Sequence, residues 1–364
     1  MVKKKEVNDS SAPETVLEVS IQEPTPNTEP AQTDAVESAP VEEAKVSRRK
    51  KITNVADLPG VGEKTAEKLK EQGFEDMMAI AAAGTGELAE RADLGEATAA
   101  KIIQAARDAL DMGFETAADF LVKRTHIGKV STGSNALNTL IGGGVETQAI
   151  TEAHGAFGSS KSQLGFQLCV NVQLPPERGG LGKNAILIDT EGTFRPERIK
   201  QMAEALGIDP EQALKNVFVA RAYNSDHQIL LVEKLGDEIR KRNIGIVVID
   251  SITSHFRSDY LGRGTLANRQ QKLNRHLHAL QRLADVHNVA VYMTNQVMAR
   301  PDVLFGDPTA PVGGHILGHL ATYRLYLRKS KGEKRVAKLI DSPYLPEGEA
   351  AFAVKTEGIR DTEV

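Results

Sequence analysis

An α/β fold with a largely parallel sheet and an antiparallel extension, preceded by a small all-α domain, is what this sequence predicts. Three observations predict it. Ala149–His154, Ala185–Thr190, Val217–Ala222, Ile244–Ser251 and Val289–Gln296 are short apolar runs separated by helical patterns, as buried parallel strands are. Tyr323–Lys329 and Arg335–Ser342 flank Ser330-Lys331-Gly332-Glu333-Lys334, the pattern of an antiparallel hairpin. From Ile52 to about Leu110 the composition is helical, with a glycine-bearing turn opening onto the first helix.

The chain of 364 residues is long for one domain, so a large core with a smaller partner is expected. Hydrophobic residues at 40% and charged residues at 26% fit a soluble globular protein. A net charge of −4 excludes a globally basic binder of nucleic acid, so any such contact must come from local Arg and Lys clusters. The single cysteine, Cys169, rules out an intrachain disulfide and fits a reducing compartment; it reads as a buried filler in an apolar helix. The basic residues after Met1 have no apolar run behind them, and no stretch is long enough to span a membrane. A cytoplasmic location without membrane contact is expected.

Residues 1–51 are rich in Pro, Glu, Ala, Thr and Ser and lack aromatics, so they read as a disordered acidic tail. Its closing run, Arg48-Arg49-Lys50-Lys51, reads as a solvated charge cluster. Next, Leu58-Pro59-Gly60-Val61-Gly62 precedes a helix starting at Glu63 and ending before Gly73. A turn carrying Gly60 and Gly62 at a helix start exposes backbone N–H groups that can hold a phosphate without reading sequence. Residues 92–100 look like a second copy, one glycine short. A plain αα-turn is the competing reading. Together these features outline a helix-hairpin-helix domain over residues 52–112.

Gly155-Ala156-Phe157-Gly158-Ser159-Ser160-Lys161-Ser162 lies between a strand and a helix and fits the phosphate-binding loop G-x-x-x-x-G-K-[ST] at every position but one. Backbone N–H groups hold the phosphates, Lys161 neutralises the β and γ groups, and the Ser162 hydroxyl ligates Mg²⁺. Ser160 replaces the template glycine, and a non-glycine residue at positive φ costs on the order of 1 kcal/mol. Ile246-Val247-Val248-Ile249-Asp250 reads as a Walker B strand, with Asp250 toward Mg²⁺; a cap or turn is the plainer role for such an Asp. Glu191 follows another strand and could polarise the attacking water. Gln296 ends a third, where an amide can contact the γ-phosphate and signal its loss. Together they describe an ATP-hydrolysing site.

The run Leu187-Ile188-Asp189-Thr190-Glu191-Gly192-Thr193-Phe194-Arg195-Pro196-Glu197-Arg198 resembles the signature of the archaeal RadA branch of the RecA recombinase family. So do Thr294-Asn295-Gln296-Val297, Val312-Gly313-Gly314-His315 and Asp341-Ser342-Pro343. The likeness runs from about Ile52 to the C-terminus. It implies a RecA-like P-loop ATPase core over residues 126–364, with ATP bound between adjacent protomers of a filament or ring. It also implies Glu191 as the catalytic carboxylate, magnesium on Ser162 and Asp250, Gln296 as the γ-phosphate sensor, and Arg198 stacked on adenine. Residues 341–346 are similar to the cap a neighbouring protomer lays over ATP, and His319 falls at a nucleotide-sensing position across that interface. Without the family, His319 reads as a structural histidine.

Phe114-Glu115-Thr116-Ala117 matches the family's Phe-x-x-Ala polymerisation motif, in a linker over residues 113–125. Phe114 and Ala117 on an extended segment fill two pockets of the next subunit and add a strand to its sheet. A linker with one apolar residue is the plainer alternative.

Two loops are candidates for DNA. The first carries Arg257 and Arg263, the latter between two glycines, with Arg269 beyond. The second, about Met298 to Gly314, carries Arg300 and fits a segment ordered on binding DNA. The expected activity is a DNA-dependent ATPase that polymerises on single-stranded DNA and exchanges strands with a duplex, with recombination mediators as further partners. The alternatives are a RecA-like mediator that binds ATP and DNA with little turnover, for which Ser160 speaks, and a helicase-type motor on the same core.

Overall fold

The computed structural model describes residues 54–74, 76–110, 113–299 and 309–362. The acidic segment 1–51 and Arg300 lie outside the described residues.

The first helices are α1 (Glu63–Glu71), α2 (Met77–Ala81), α3 (Thr85–Ala92) and α4 (Glu96–Ala109). On α4, Ala99, Ile102, Ile103 and Ala106 recur at helical spacing and are all buried. They meet Leu69, Ile80 and Leu88 in a hydrophobic core separate from that of the sheet. One ion pair, Glu87 to Arg282 at 2.6 Å, ties this bundle to the rest.

The next helix, α5 (Ala117–Arg124), changes the reading of the linker. Thr116 caps it by accepting a hydrogen bond from the Asp119 amide at 3.1 Å. Ala117 is therefore the first helical residue, and the expected extended segment ends at Thr116. The cap chemistry of Thr followed three residues later by Asp is the cause.

Beyond it come β1 (Lys129–Val130), α6 (Asn135–Leu140), β2 (Val145–Glu146), β3 (Ile150–His154), α7 (Lys161–Asn171) and β4 (Asn184–Asp189). Then follow α8 (Pro196–Ala205), α9 (Pro210–Lys215), β5 (Val217–Arg221), α10 (Ser225–Glu233), α11 (Leu235–Arg242) and β6 (Ile244–Asp250). The chain continues through α12 (Ser254–Ser258), α13 (Leu266–His287), β7 (Ala290–Asn295), β8 (Val297–Ala299), β9 (Thr309–Pro311) and α14 (His315–Leu320). It closes with β10 (Tyr323–Lys329), β11 (Lys334–Asp341), β12 (Gly348–Lys355) and β13 (Gly358–Asp361).

Among the described residues one sheet holds nine strands in the order β13-β12-β11-β10-β3-β7-β6-β4-β5. From β10 to β5 every neighbour is parallel; β11, β12 and β13 extend the sheet antiparallel. All five apolar runs are strands of the parallel part, and the expected hairpin is β10–β11. Every residue of β6 is buried. Ile246 and Val248 point into one core, while Val247 and Ile249 point into the other. Helices on both faces explain why this strand is apolar throughout rather than alternating. Cys169 is buried in α7, and burial pushes its thiol pKa well above the ordinary range, so the filler reading holds. Among the described residues no helix is long and apolar enough to cross a membrane.

His276 of α13 is buried beside the Gln228 amide, and desolvation pushes its pKa down to about 4. The imidazole is neutral when folded and protonates near pH 6.5 when unfolded. The unfolded state therefore binds more protons between the two values, and stability falls as pH drops from about 6.5 to about 4. The full loss is on the order of 3 kcal/mol. Denaturant titrations at pH 7.5 and pH 5 should show a downward shift of the midpoint that His276→Gln lessens. An identical pH slope in both proteins would contradict this.

Candidate nucleotide-binding site

The candidate site lies where four parallel strands end. The loop 155–162 follows β3, Glu191 follows β4, Asp250 closes β6 and Gln296 follows β7. The carboxyl ends of parallel strands are where open α/β sheets bind ligands.

The loop is shaped by backbone geometry. A Cβ on Gly155 would sit 2.1 Å from the Leu327 carbonyl oxygen, so strand β10 excludes any other residue there. Ser160 adopts the left-handed conformation at φ 79° and ψ 23° and is the N-cap of α7. The sequence expectation of a serine held at positive φ is met, with its cost on the order of 1 kcal/mol. Ala156 and Phe157 are exposed at the tip, whereas Ser159 is buried. The Lys161 ammonium donates to the carbonyl oxygens of Gly155 (2.8 Å) and Ala156 (3.1 Å), which holds it over the loop. Burial lowers its pKa, and the carboxylates of Asp250 and Glu191 pull it back up.

Asp250 is buried. Desolvation raises its pKa, while the hydrogen bond from the Thr294 hydroxyl and the nearby Ser162 hydroxyl oppose the rise. Its Oδ1 accepts from Thr294, and Oδ2 is buried with no hydrogen bond of ordinary geometry. A buried carboxylate oxygen without a partner, beside a serine hydroxyl, is a hard-oxygen donor pair suited to Mg²⁺.

Glu191 Oε1 accepts from the Gln296 side-chain amide at 2.7 Å and from the Ser251 hydroxyl at 3.1 Å. Gln296 Oε1 in turn accepts from Arg257 at 2.9 Å. The structure thus joins three predicted residues, Glu191, Gln296 and Arg257, in one chain of hydrogen bonds. Each came from a different part of the sequence.

Asp189 is a residue the sequence reading left without a role. Its carboxylate accepts from the backbone amides of Glu191 (3.1 Å), Gly192 (2.6 Å), Thr193 (3.3 Å) and Phe194 (3.2 Å). It wraps the turn that presents Glu191. Asp followed three residues later by Gly after a strand was the available signal. Ser251 and Thr294, which hold Glu191 and Asp250, carried no comparable signal.

Arg198 lies at the flank of α7. Its guanidinium donates to Gln163 (2.7 Å) and to the carbonyls of Lys355 (2.7 Å) and Thr356 (2.5 Å). Asp341 lies on β11, two strands from β3, whose end leads into the loop. Asp341 ends β11 opposite Arg324, whose own β3 partner is Glu152, two positions short of His154. His319 lies on α14, beyond the second loop.

The described part of the first DNA-loop candidate is largely helical, and residues 300–308 of the second lie outside the described residues. Arg257 belongs to α12, Arg263 begins a 3₁₀ turn ending at Thr265, and Arg269 sits in the first turns of α13. The first loop is thus confined to the short stretch around Tyr260 and Gly262. In the second, Val297–Ala299 pairs antiparallel with Thr309–Pro311, so its two ends form a small ribbon. The base is fixed by Asn295, which donates to Glu152 and to the Val312 carbonyl, both at 2.7 Å.

In the helical bundle Gly60 has φ 90°, and Gly62 is the N-cap of α1. Asp93 at φ 54° and Gly95 repeat this arrangement before α4. The missing glycine of the second copy is replaced by an aspartate, a residue that tolerates the left-handed region. Neither N-cap carries a side-chain hydrogen bond, and a Cβ at Gly62 or Gly95 would meet open space. Both helix starts are free to approach a phosphate.

A phosphate loop, a Walker B carboxylate and a catalytic-type Glu at the carboxyl edge of this strand order define a P-loop ATPase with a RecA-like core. The chain belongs to the Rad51 family, whose model matches residues 123–362. Residues 52–108 match the SAM-like helix-hairpin-helix tandem. The chain is 54% identical over 315 residues to the DNA repair and recombination protein RadA of Aeropyrum pernix, covering 86% of this chain and 99% of the relative.

Proposed function

We propose that this chain is an ATP-dependent DNA recombinase, which assembles on single-stranded DNA and catalyses homologous pairing and strand exchange in repair. The observation that carries the reading is the hydrogen-bond chain Glu191–Gln296–Arg257. It ties the residue that would activate water to the edge of a DNA loop, as a DNA-dependent ATPase requires.

In this reading the loop 155–162 binds the triphosphate and Lys161 neutralises its charge. Mg²⁺, held by Ser162 and Asp250, would supply further neutralisation of the developing charge. Glu191 accepts the proton of a water as its oxygen bonds to the γ-phosphorus and the bond to ADP breaks. Gln296 contacts the γ-phosphate and, when that group leaves, releases or retains Arg257. Arg257, Arg263, Arg269 and Arg300 contact single-stranded DNA, and the helix starts at Gly62 and Gly95 hold duplex backbone. Asp341 and His319 act on the nucleotide of the adjoining protomer, and Arg198 stacks on adenine. Phe114 and Ala117 join the protomers.

Strand exchange between a single strand and a homologous duplex, run with ATP and with a non-hydrolysable analogue, tests this. Product is expected with both, and failure with both would overturn the reading. A second reading, a mediator with little turnover, is favoured by Ser160 alone. Hydrolysis stimulated several-fold by single-stranded DNA would dismiss it.

A further inference from the structure

We infer that Arg335 is a positioning residue of the phosphate cradle, acting through Ser160, so that the two together replace the glycine of the P-loop template. This deepens the proposed function and rests on the loop 155–162 being the triphosphate cradle.

The Ser160 hydroxyl does not cap its own helix, although Ser160 stands at the N-cap of α7. It accepts instead from Arg335 Nε at 3.0 Å. The guanidinium is itself fixed: Nη1 donates to the carbonyls of Gly332 (3.0 Å) and Lys334 (2.9 Å). Gly332 lies in the β10–β11 turn and Lys334 is the first residue of β11, whose carbonyl also accepts from the Ser330 amide at 3.0 Å. Arg335 is thus a rigid donor, pre-aimed by a turn rather than by chance contact. The hairpin grips the loop at both ends, with Leu327 O against Gly155 and Arg335 on Ser160.

The physics follows from the strain. A serine at φ 79° prefers to relax toward negative φ, which would turn the Ser160 and Lys161 amides away from a phosphate. A hydrogen bond from a charged donor is stronger than a neutral one and holds the residue in place. It also puts a second cation beside the Lys161 end of the loop. A glycine needs no such anchor, which is why the serine and the arginine form one device.

A double-mutant cycle in the full chain tests this. The proteins are the unmodified chain, Arg335→Ala, Ser160→Gly, Ser160→Ala and Ser160→Gly/Arg335→Ala. The measurements are affinity for a fluorescent ATP analogue, KM and kcat for DNA-dependent hydrolysis, and melting temperature. Arg335→Ala and Ser160→Ala are each expected to raise Kd and KM about tenfold, with kcat changed less than about threefold, as loss of one charge-assisted bond implies. Ser160→Gly alters the cradle itself and sets its own baseline of Kd and KM, and on that background Arg335→Ala should add less than about twofold. Ser160→Ala keeps the strain without the anchor, so it carries the test even if Arg335→Ala unfolds. If Ser160→Ala matches the unmodified chain, or Arg335→Ala costs as much with Gly at 160 as with Ser, the inference is overturned. If the unmodified chain binds no nucleotide, the cradle reading itself fails.

Discussion

Glu191→Gln is expected to leave nucleotide and DNA binding intact while DNA-stimulated hydrolysis falls by about 10²–10⁴-fold, the range set by loss of a general base. The substitution suits the geometry. Glu191 Oε1 accepts from both Gln296 and Ser251, and an amide oxygen can accept the same two bonds. Asp189 holds the backbone of the turn, so the side chain should stay in place. Only the basicity is lost. In the proposed reading binding falls to Lys161, Ser162 and the loop amides; the change removes a negative charge that acts on Lys161 but leaves its contacts to the Gly155 and Ala156 carbonyls in place. Filaments formed with ATP should therefore persist on single-stranded DNA where those of the unmodified chain turn over. Phosphate release and filament lifetime, measured on one preparation, give the answer. Hydrolysis within about threefold of the original would mean that another group activates the water.

Much of this site was legible because its chemistry is local. Each of Lys161, Asp250, Glu191 and Gln296 ends or follows a strand, and buried parallel strands declare themselves as unbroken apolar runs. Strand order was not legible: nothing in the chain says that β7 lies between β3 and β6, which is what brings Gln296 to Glu191 across 105 positions. The same holds for Arg335, which meets Ser160 across 175 positions from a hairpin predicted only as a hairpin. Local chemistry also misled where two local rules compete. The linker with Phe114 reads as extended, yet Thr116 and Asp119 form a cap that starts a helix at Ala117. The glycines around Arg263 suggest a long loop, but the helix-forming stretch from Leu266 takes over within a few residues.

Phe114→Ala is expected to abolish filaments and rings while leaving the fold untouched. Phe114 is fully exposed, at 111% of its reference area, and the next residue, Glu115, is tied to Lys123 of α5. The phenyl ring therefore packs against none of the described residues, and its removal should leave the melting temperature unchanged. A large aromatic kept in water has its use in another surface, and an aromatic anchor at an interface centre contributes about 2–4 kcal/mol. That corresponds to a weakening of roughly 30- to 1000-fold at each joint. An assembly repeats the joint at every step, so the loss compounds as it grows. Sedimentation with ATP and single-stranded DNA should show monomers, and electron microscopy no filaments. DNA-stimulated hydrolysis should fall with assembly, because in the proposed reading Asp341 and His319 act on the nucleotide of the adjoining protomer. Hydrolysis that survives in a strictly monomeric Phe114→Ala protein would place the whole ATPase within one chain. Unaltered filaments would remove Phe114 from the joint.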